Sequence, residues 1–259
     1  MSEFYNPNKT RNLFKPLRHG SGQADSENTF RMSRGKIDNF IECPRCFYMD
    51  RRLGVSRPPQ IPFTLNTAVD ALLKKEFDVH RAAGTAHPLM KEYGLNAVPF
   101  QDERMDAWRD SLRRGITAPI EGTNVVVTGG VDDVWKGSDG KLIIVDYKAT
   151  SKNGEVNLDS EWQDAYKRQL EVYQWLFRKN EFDVSDTGYF VYANGDTGKE
   201  AFDGKLEFDI KLLPYEGNDS WVEPTIYKAI ETLKSNTLPE SSDNCDYCAY
   251  RKAAREIEP

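Results

Sequence analysis

No apolar run in this 259-residue chain approaches the roughly 20 residues that a membrane-spanning helix requires. Cysteine is scarce, at four residues, which excludes a disulfide-dense scaffold. Histidine is scarcer still. His19, His80 and His87 show no ligand spacing and read as surface residues. Excess positive charge is also missing: 35 Lys and Arg face 41 Asp and Glu, for a formal net charge of -6. That balance excludes coating of nucleic acid by bulk charge, though a locally basic path remains open. No internal repeat and no low-complexity tract interrupts the chain. No secretory leader is visible, so a reducing, cytoplasmic compartment is expected and structural disulfides are not.

The cysteines that are present are concentrated. They form two Cys-x-x-Cys pairs, Cys43/Cys46 and Cys245/Cys248. Two such pairs supply four thiolates, enough for a zinc ion or an iron–sulfur cluster. The pairs lie near opposite ends of the sequence, so those ends are expected to meet in space.

A second concentration lies mid-chain. Leu142-Ile143-Ile144-Val145 has the composition of a buried strand and runs into Asp146-Tyr147-Lys148. Alternation along a strand puts Asp146 and Lys148 on one side. The turn Gly137-Ser138-Asp139-Gly140 folds this strand back on Gly130-Val131-Asp132-Asp133-Val134 and sets Asp132 opposite Asp146, within one residue. Two carboxylates beside an ammonium suit a hard cation and an attacked phosphodiester. A solvated surface hairpin is the plainer alternative for the same residues.

A helical stripe follows: Tyr166, Gln169, Leu170, Tyr173, Leu176 and Phe177 share one face. Gln169 sits in the middle of it, and a buried amide needs partners. Lys167 and Arg168 precede it and are candidate DNA contacts.

Gly-x-Val-Asp, Val-Asp-Tyr-Lys and Gln-x-x-x-Tyr, in this order, resemble the RecB-type branch of the PD-(D/E)XK nuclease superfamily. That branch includes nuclease domains of recombination helicase–nucleases and of CRISPR-adaptation nucleases. The stretch from Ser33 to Leu53, with its Phe-x-x-Cys-Pro-Arg-x-Phe-Tyr core, and the segment Cys245–Arg251 resemble the opening helix and closing cysteine segment of the same proteins. The resemblance implies Asp132 and Asp146 as ligands of Mg²⁺ or Mn²⁺ and Lys148 as the catalytic lysine. It implies that Gln169 and Tyr173 brace the site and place the strand. It also implies a 4Fe-4S cluster at Cys43, Cys46, Cys245 and Cys248, with structural Zn²⁺ as the alternative. Two departures stand out. The family pattern uses one early cysteine and three late ones, whereas here Cys46 supplies a second early thiolate. The family helix that donates a metal-binding histidine has Asp70 at that position. Glu76, placed by helical angle inside the stripe Leu65, Val69, Leu72, Leu73 and Phe77, is the rival ligand.

The expected architecture is a PD-(D/E)XK restriction-endonuclease-like α/β core, a mixed central sheet flanked by helices. Residues 1–30 are expected to form a flexible polar tail and 31–259 a single nuclease domain. Helices are expected at about 34–52, 64–80, 101–115, 160–179 and 222–235, and strands at about 124–135, 141–148, 187–193 and 204–212. The expected activity is metal-dependent DNA hydrolysis, as an exonuclease on ends or single strands, in repair, recombination or defence. A helicase or other subunit would act in trans. The alternatives are a catalytically silent nuclease-fold binding protein and a zinc-knuckle nucleic-acid binding module.

Overall fold

The computed structural model describes residues 13–15, 29–59 and 63–258. In chain order the elements begin with β1 (Phe30–Ser33), α1 (Arg34–Glu42), α2 (Pro44–Arg51), α3 (Thr64–Ala83), α4 (Pro88–Glu92) and β2 (Ala97–Pro99). There follow α5 (Met105–Arg109), β3 (Ile116–Pro119), β4 (Val125–Gly129), β5 (Asp133–Gly137) and β6 (Leu142–Thr150). The chain continues through α6 (Asp164–Lys179), β7 (Thr187–Gly195), β8 (Phe208–Glu216), α7 (Val222–Lys234) and α8 (Asp246–Ile257). No helix among the described residues is long and apolar enough to cross a membrane.

By their contacts the residues gather into two compact units. Of the described residues, one comprises those within 1–61, 117–128 and 220–259, and the other those within 62–116 and 129–219.

The first unit holds the sheet order β1-β4-β3 and the helices α1, α2, α7 and α8. β1 runs parallel to β4, with Phe30 opposite Val125. The long helix expected at 34–52 is two helices. Pro44 lacks an N–H and drives the preceding residue out of the helical region, so Cys43 is extended at φ -161° and separates α1 from α2. Ser33 occupies the N-cap of α1 but makes no side-chain capping bond. Of the segment expected to be a flexible tail, 1–12 and 16–28 lie outside the described residues. Phe14 within it is buried, and its ring meets Phe30 edge-on at 5.4 Å.

The second unit is built on the sheet order β2-β5-β6-β7-β8. Only β6 and β7 are parallel, and α6 makes the crossover that a parallel pair requires. α3 packs on β6 and β2, and α6 packs on β6. The apolar core under α3 contains Leu73, Phe77, Trp135, Val145, Tyr147 and Val191. The strand expected over 124–135 breaks between Gly129 and Asp133, and Asp132 sits in that break. The helix expected at 101–115 shrinks to α5. Asp110 closes it by accepting from the Arg113 N–H and pairing with Arg114, and Gly115 turns the chain with φ +71°. α8 was not anticipated at all.

Asp50 in α2 is buried, pairs with Lys36 at 2.7 Å and accepts a hydrogen bond from Ser56. Burial pushes its carboxyl up, but the Lys36 ammonium and the Ser56 hydroxyl outweigh that and hold it below the ordinary carboxylate range. The depressed carboxyl stabilises the fold fully above the unfolded value of about 3.9, and this contribution fades as pH falls through the folded value. Asp50→Asn should therefore lower stability at neutral pH and flatten the acid-unfolding slope below about pH 4. Urea unfolding of both proteins across pH 3 to 7 checks this; parallel slopes would refute it.

Candidate functional site

The β5–β6 hairpin positions the first carboxylates. Asp133 pairs with Val145, and the next step of this antiparallel register sets Asp132 against Asp146, as the turn spacing predicts. An Asp132 carboxylate oxygen accepts the Tyr147 N–H at 3.0 Å, which fixes it against β6. Asp146 is fully buried and ion-pairs with Lys148, two residues on along the same side of the strand. The Lys148 ammonium also lies 4.5 Å from the centre of the Tyr166 ring.

α6 supplies the support. Its Gln169 amide donates to Asp146 Oδ1 at 2.8 Å and to the Tyr173 hydroxyl at 3.1 Å. A polar residue in an apolar stripe thus has its partners. Tyr173 can lie against the sheet because Gly129 has no side chain: a Cβ there would come within 2.7 Å of the Tyr173 ring and 2.8 Å of Leu176. From Leu170 to Phe177 every residue of α6 is buried, so this helix is covered on more than the predicted stripe. Lys167 pairs with Asp164 at 3.0 Å on its first turn.

α3 approaches with Asp70 and Lys74. The Lys74 ammonium lies 2.8 Å from Asp70 and 3.1 Å from Asp132, joining the helix to the hairpin. Burial raises the Asp70 carboxyl, and the nearby Asp132 charge pushes the same way. For Asp132, burial is outweighed by the Lys74 and Lys148 charges and the Tyr147 N–H, and its carboxyl is held low. Asp70, Tyr147, Lys148, Tyr166 and Asn66 line one open cavity of about 310 Å³. Glu76 does not join them. It is exposed and bonds the His87 ring at 2.9 Å. His87 is not a surface residue as expected. It is buried, stacks on Phe77 at 4.2 Å and caps α4 by accepting from the Leu89 N–H. The predicted stripe on α3 is also narrower, since Leu65 and Leu72 are exposed while Leu73 and Phe77 are buried.

Behind the hairpin a second charge is neutralised. Asp133, fully buried, accepts from Arg81, from Arg109 at 3.3 Å, from the Trp135 indole at 3.1 Å and from the Tyr147 hydroxyl at 2.7 Å. Arg109 also donates to the Asp132 carbonyl at 3.0 Å. Neither arginine was anticipated from sequence as a buried counter-ion. Their signal was the second Asp of Asp132-Asp133, whose side chain points to the opposite face and needs cations of its own.

The four cysteines are buried together in the first unit, with all ligand sulfurs within 4.8 Å of one another. Three of the sulfur separations are 3.9 Å for Cys43–Cys248, 3.6 Å for Cys46–Cys245 and 3.7 Å for Cys46–Cys248. Cys43 and Cys245 precede α2 and α8, while Cys46 and Cys248 lie in their first turns. Each pair therefore straddles a helix N-terminus, where free N–H groups favour thiolate. Burial works against the Cys43 thiol, but hydrogen bonds from the Cys46 and Ser242 backbones bring it down to about 6. Burial and the neighbouring thiols push Cys248 up to about 12. Four thiols this close resist joint ionisation unless a cation compensates them. Among the described residues this is the group of ligand atoms gathered tightly enough for one ion; the three carboxylates stand wider apart.

Residues 31–253 match the PD-(D/E)XK nuclease superfamily. The chain belongs to that superfamily, and its mixed sheet with flanking helices has the corresponding α/β architecture. Phosphodiester hydrolysis is the activity of the class. A solved structure described as SSO0001 aligns over 83% of this chain and 81% of its own, at 16% identity and a TM-score of 0.35. No curated protein gives a match.

Asp133→Ala would leave Arg81 and Arg109 facing a cavity without their buried counter-ion. The expected cost is about 3–5 kcal/mol of stability. Urea unfolding measures it, and a loss below about 1 kcal/mol would mean that the network is dispensable.

Proposed function

We propose that the chain is a metal-dependent deoxyribonuclease of the RecB-type branch, acting on DNA ends or single strands. Asp70, Asp132 and Asp146 are its metal ligands and Lys148 its catalytic lysine. The observation that carries the reading is the meeting of Asp132, Asp146 and Lys148 at one hairpin, with Gln169 holding Asp146 from the facing helix. The three carboxylates are a hard-oxygen donor set, which suits Mg²⁺ or Mn²⁺. When bound, such an ion acidifies a water and offsets charge on the attacked phosphate. Lys148 lines the open cavity from β6, and its ammonium would offset charge on an attacked phosphate or orient an incoming hydroxide. Gln169 and Tyr173 restrict the Asp146 rotamer, so the carboxylate need not reorganise during reaction. Tyr166 offers an aromatic face to a DNA base or sugar in the same cavity. Lys167 and Arg168 are candidate contacts to the strand's phosphates. Repair, recombination and defence all require such an activity, with any helicase supplied in trans.

The four-cysteine centre, in this reading, is a structural clamp holding Zn²⁺. A tetrahedral site with Zn–S bonds of about 2.3 Å sets its sulfurs about 3.8 Å apart. Three of the six sulfur separations, 3.6 to 3.9 Å, are near that spacing, and all six lie within 4.8 Å. A 4Fe-4S cluster, which the resemblance implies, is the other occupant that four such thiolates accept.

End-labelled single- and double-stranded DNA with Mg²⁺ or Mn²⁺ tests the activity. Lys148→Ala should lower turnover about 10²–10³-fold, the loss typical of one charge-stabilising donor. Asp146→Ala should abolish cleavage. A folded wild-type protein that binds DNA without cutting it would favour the silent-nuclease alternative. Elemental analysis should give one zinc and no iron per chain after expression with both metals supplied, and Cys248→Ser should lose the zinc and melt earlier. An absorption band near 400 nm with about four irons per chain would instead establish the cluster.

A further inference from the structure

The first unit has an open cavity of about 210 Å³ that the reading above leaves unused. Met49, Val55, Pro58, Tyr247, Tyr250 and Arg251 line it. Met49 comes from α2 and the last three residues from α8. The lining is mostly apolar, yet it includes an arginine with little to bind. A guanidinium has five N–H donors. Among the described residues the one hydrogen-bond acceptor of Arg251 is the Met49 sulfur, a weak one, and no carboxylate pairs with it. Its Nε–H is buried with no acceptor at all, where such donors are normally satisfied. The neighbouring Arg57 differs, because it pairs with Glu42 and covers one face of the Tyr247 ring at 4.7 Å. Tyr250 keeps its ring in the open, at 77% exposure.

We propose that this cavity takes one unpaired base of a single DNA strand, stacked on Tyr250, with Arg251 donating to the base edge or to its phosphate. The choice of ligand rests on the nuclease reading above; the lining shares no residue with the carboxylate hairpin. Size points to a single ring system. Pockets that enclose a drug-sized ligand run to about 300–1,000 Å³, and this one is smaller. Surface chemistry points to a base. Apolar side chains and an aromatic ring suit a flat π-face and offer little to a sugar or a hydrated ion. Arg251 requires that the guest carry acceptors, which a hydrocarbon lacks. The base must be unpaired, because stacking neighbours and the complementary base cover it in a duplex. Charge nearby does not oppose a strand. α8 carries three basic residues against two acidic ones, in a chain of net charge -6. Lys252 and Arg255 among them are exposed and would meet neighbouring phosphates. Cys46 and Cys248 also border the cavity, so the cysteine centre holds α2 and α8 on either side of it.

Fluorescence anisotropy with labelled oligothymidylate and a blunt duplex, on the full-length protein without added Mg²⁺ or Mn²⁺, tests this independently of cleavage. Tyr250→Ala should weaken single-strand binding about 5- to 150-fold, the range for losing one base–aromatic stack. Tyr250→Phe should bind as wild type does, and Arg251→Met should bind more weakly. Affinity for the blunt duplex should not change in any of them. Thermal melting and metal content confirm that each variant folds with its cysteine centre loaded. Photocrosslinking of iododeoxyuridine-substituted strand to wild type gives a second readout that needs no variant, with adducts expected on Tyr247 or Tyr250. Unchanged single-strand affinity in folded Tyr250→Ala overturns the proposal, as do equal losses for single strand and duplex, or adducts confined to other residues. Each of those results leaves the nuclease reading standing if wild type still cuts DNA with Mg²⁺ or Mn²⁺. A wild type that neither binds nor cuts DNA overturns both.

Discussion

Negative charge buried at one hairpin governs the second unit. Asp132, Asp133 and Asp146 occupy neighbouring places on β5 and β6 and their junction, and two of them are fully buried. Uncompensated, such a cluster would not fold with its carboxylates ionised. The surrounding elements each contribute to that compensation. α3 brings Lys74 and Arg81, α5 brings Arg109, β6 brings Lys148, and α6 brings the Gln169 amide. The alternation of the strand sorts the partners. Asp133 turns to the arginines and to Trp135 on one face, while Asp146 turns to Lys148 and α6 on the other. One face is closed and structural; the other opens into a cavity.

The legible parts of this arrangement were those with short-range periodicity. Strand alternation and turn spacing gave the Asp132–Asp146 register, and helical periodicity put Gln169 over β6. Cysteine spacing alone predicted the meeting of Cys43, Cys46, Cys245 and Cys248. The missed parts depend on contacts that no local pattern encodes. Glu76 and Asp70 are close rivals on a helical wheel, and only the packing of α3 turns one to the hairpin and the other to His87. Lys74 looks like any helix-surface lysine until its long-range partner is known. The same blindness hid His87, whose burial follows from stacking on Phe77 rather than from its neighbours in sequence.

Secondary-structure departures have equally specific causes. Pro44 splits the first helix, and the split puts Cys43 at a helix start instead of in a helix middle. The pair Gly129-Gly130 admits close neighbours on both sides, Tyr173 at one and the Ser111 backbone at the other, and it interrupts a strand that composition alone would continue. In both places the break in regular structure places a ligand candidate: Cys43 in the first case, Asp132 in the second.

The cysteine centre also has a topological consequence. Cys46 and Cys245 are 199 residues apart in sequence, yet their sulfurs are 3.6 Å apart. Binding an ion there converts the polypeptide between them into a closed ring. Closing a ring of that length removes unfolded-state entropy equivalent to about 5 kcal/mol, if the bound ion acts as a cross-link. The entire second unit, with its charged hairpin, lies inside that ring. A soft-metal site that touches none of the carboxylates would thereby shrink the unfolded ensemble from which they must be assembled.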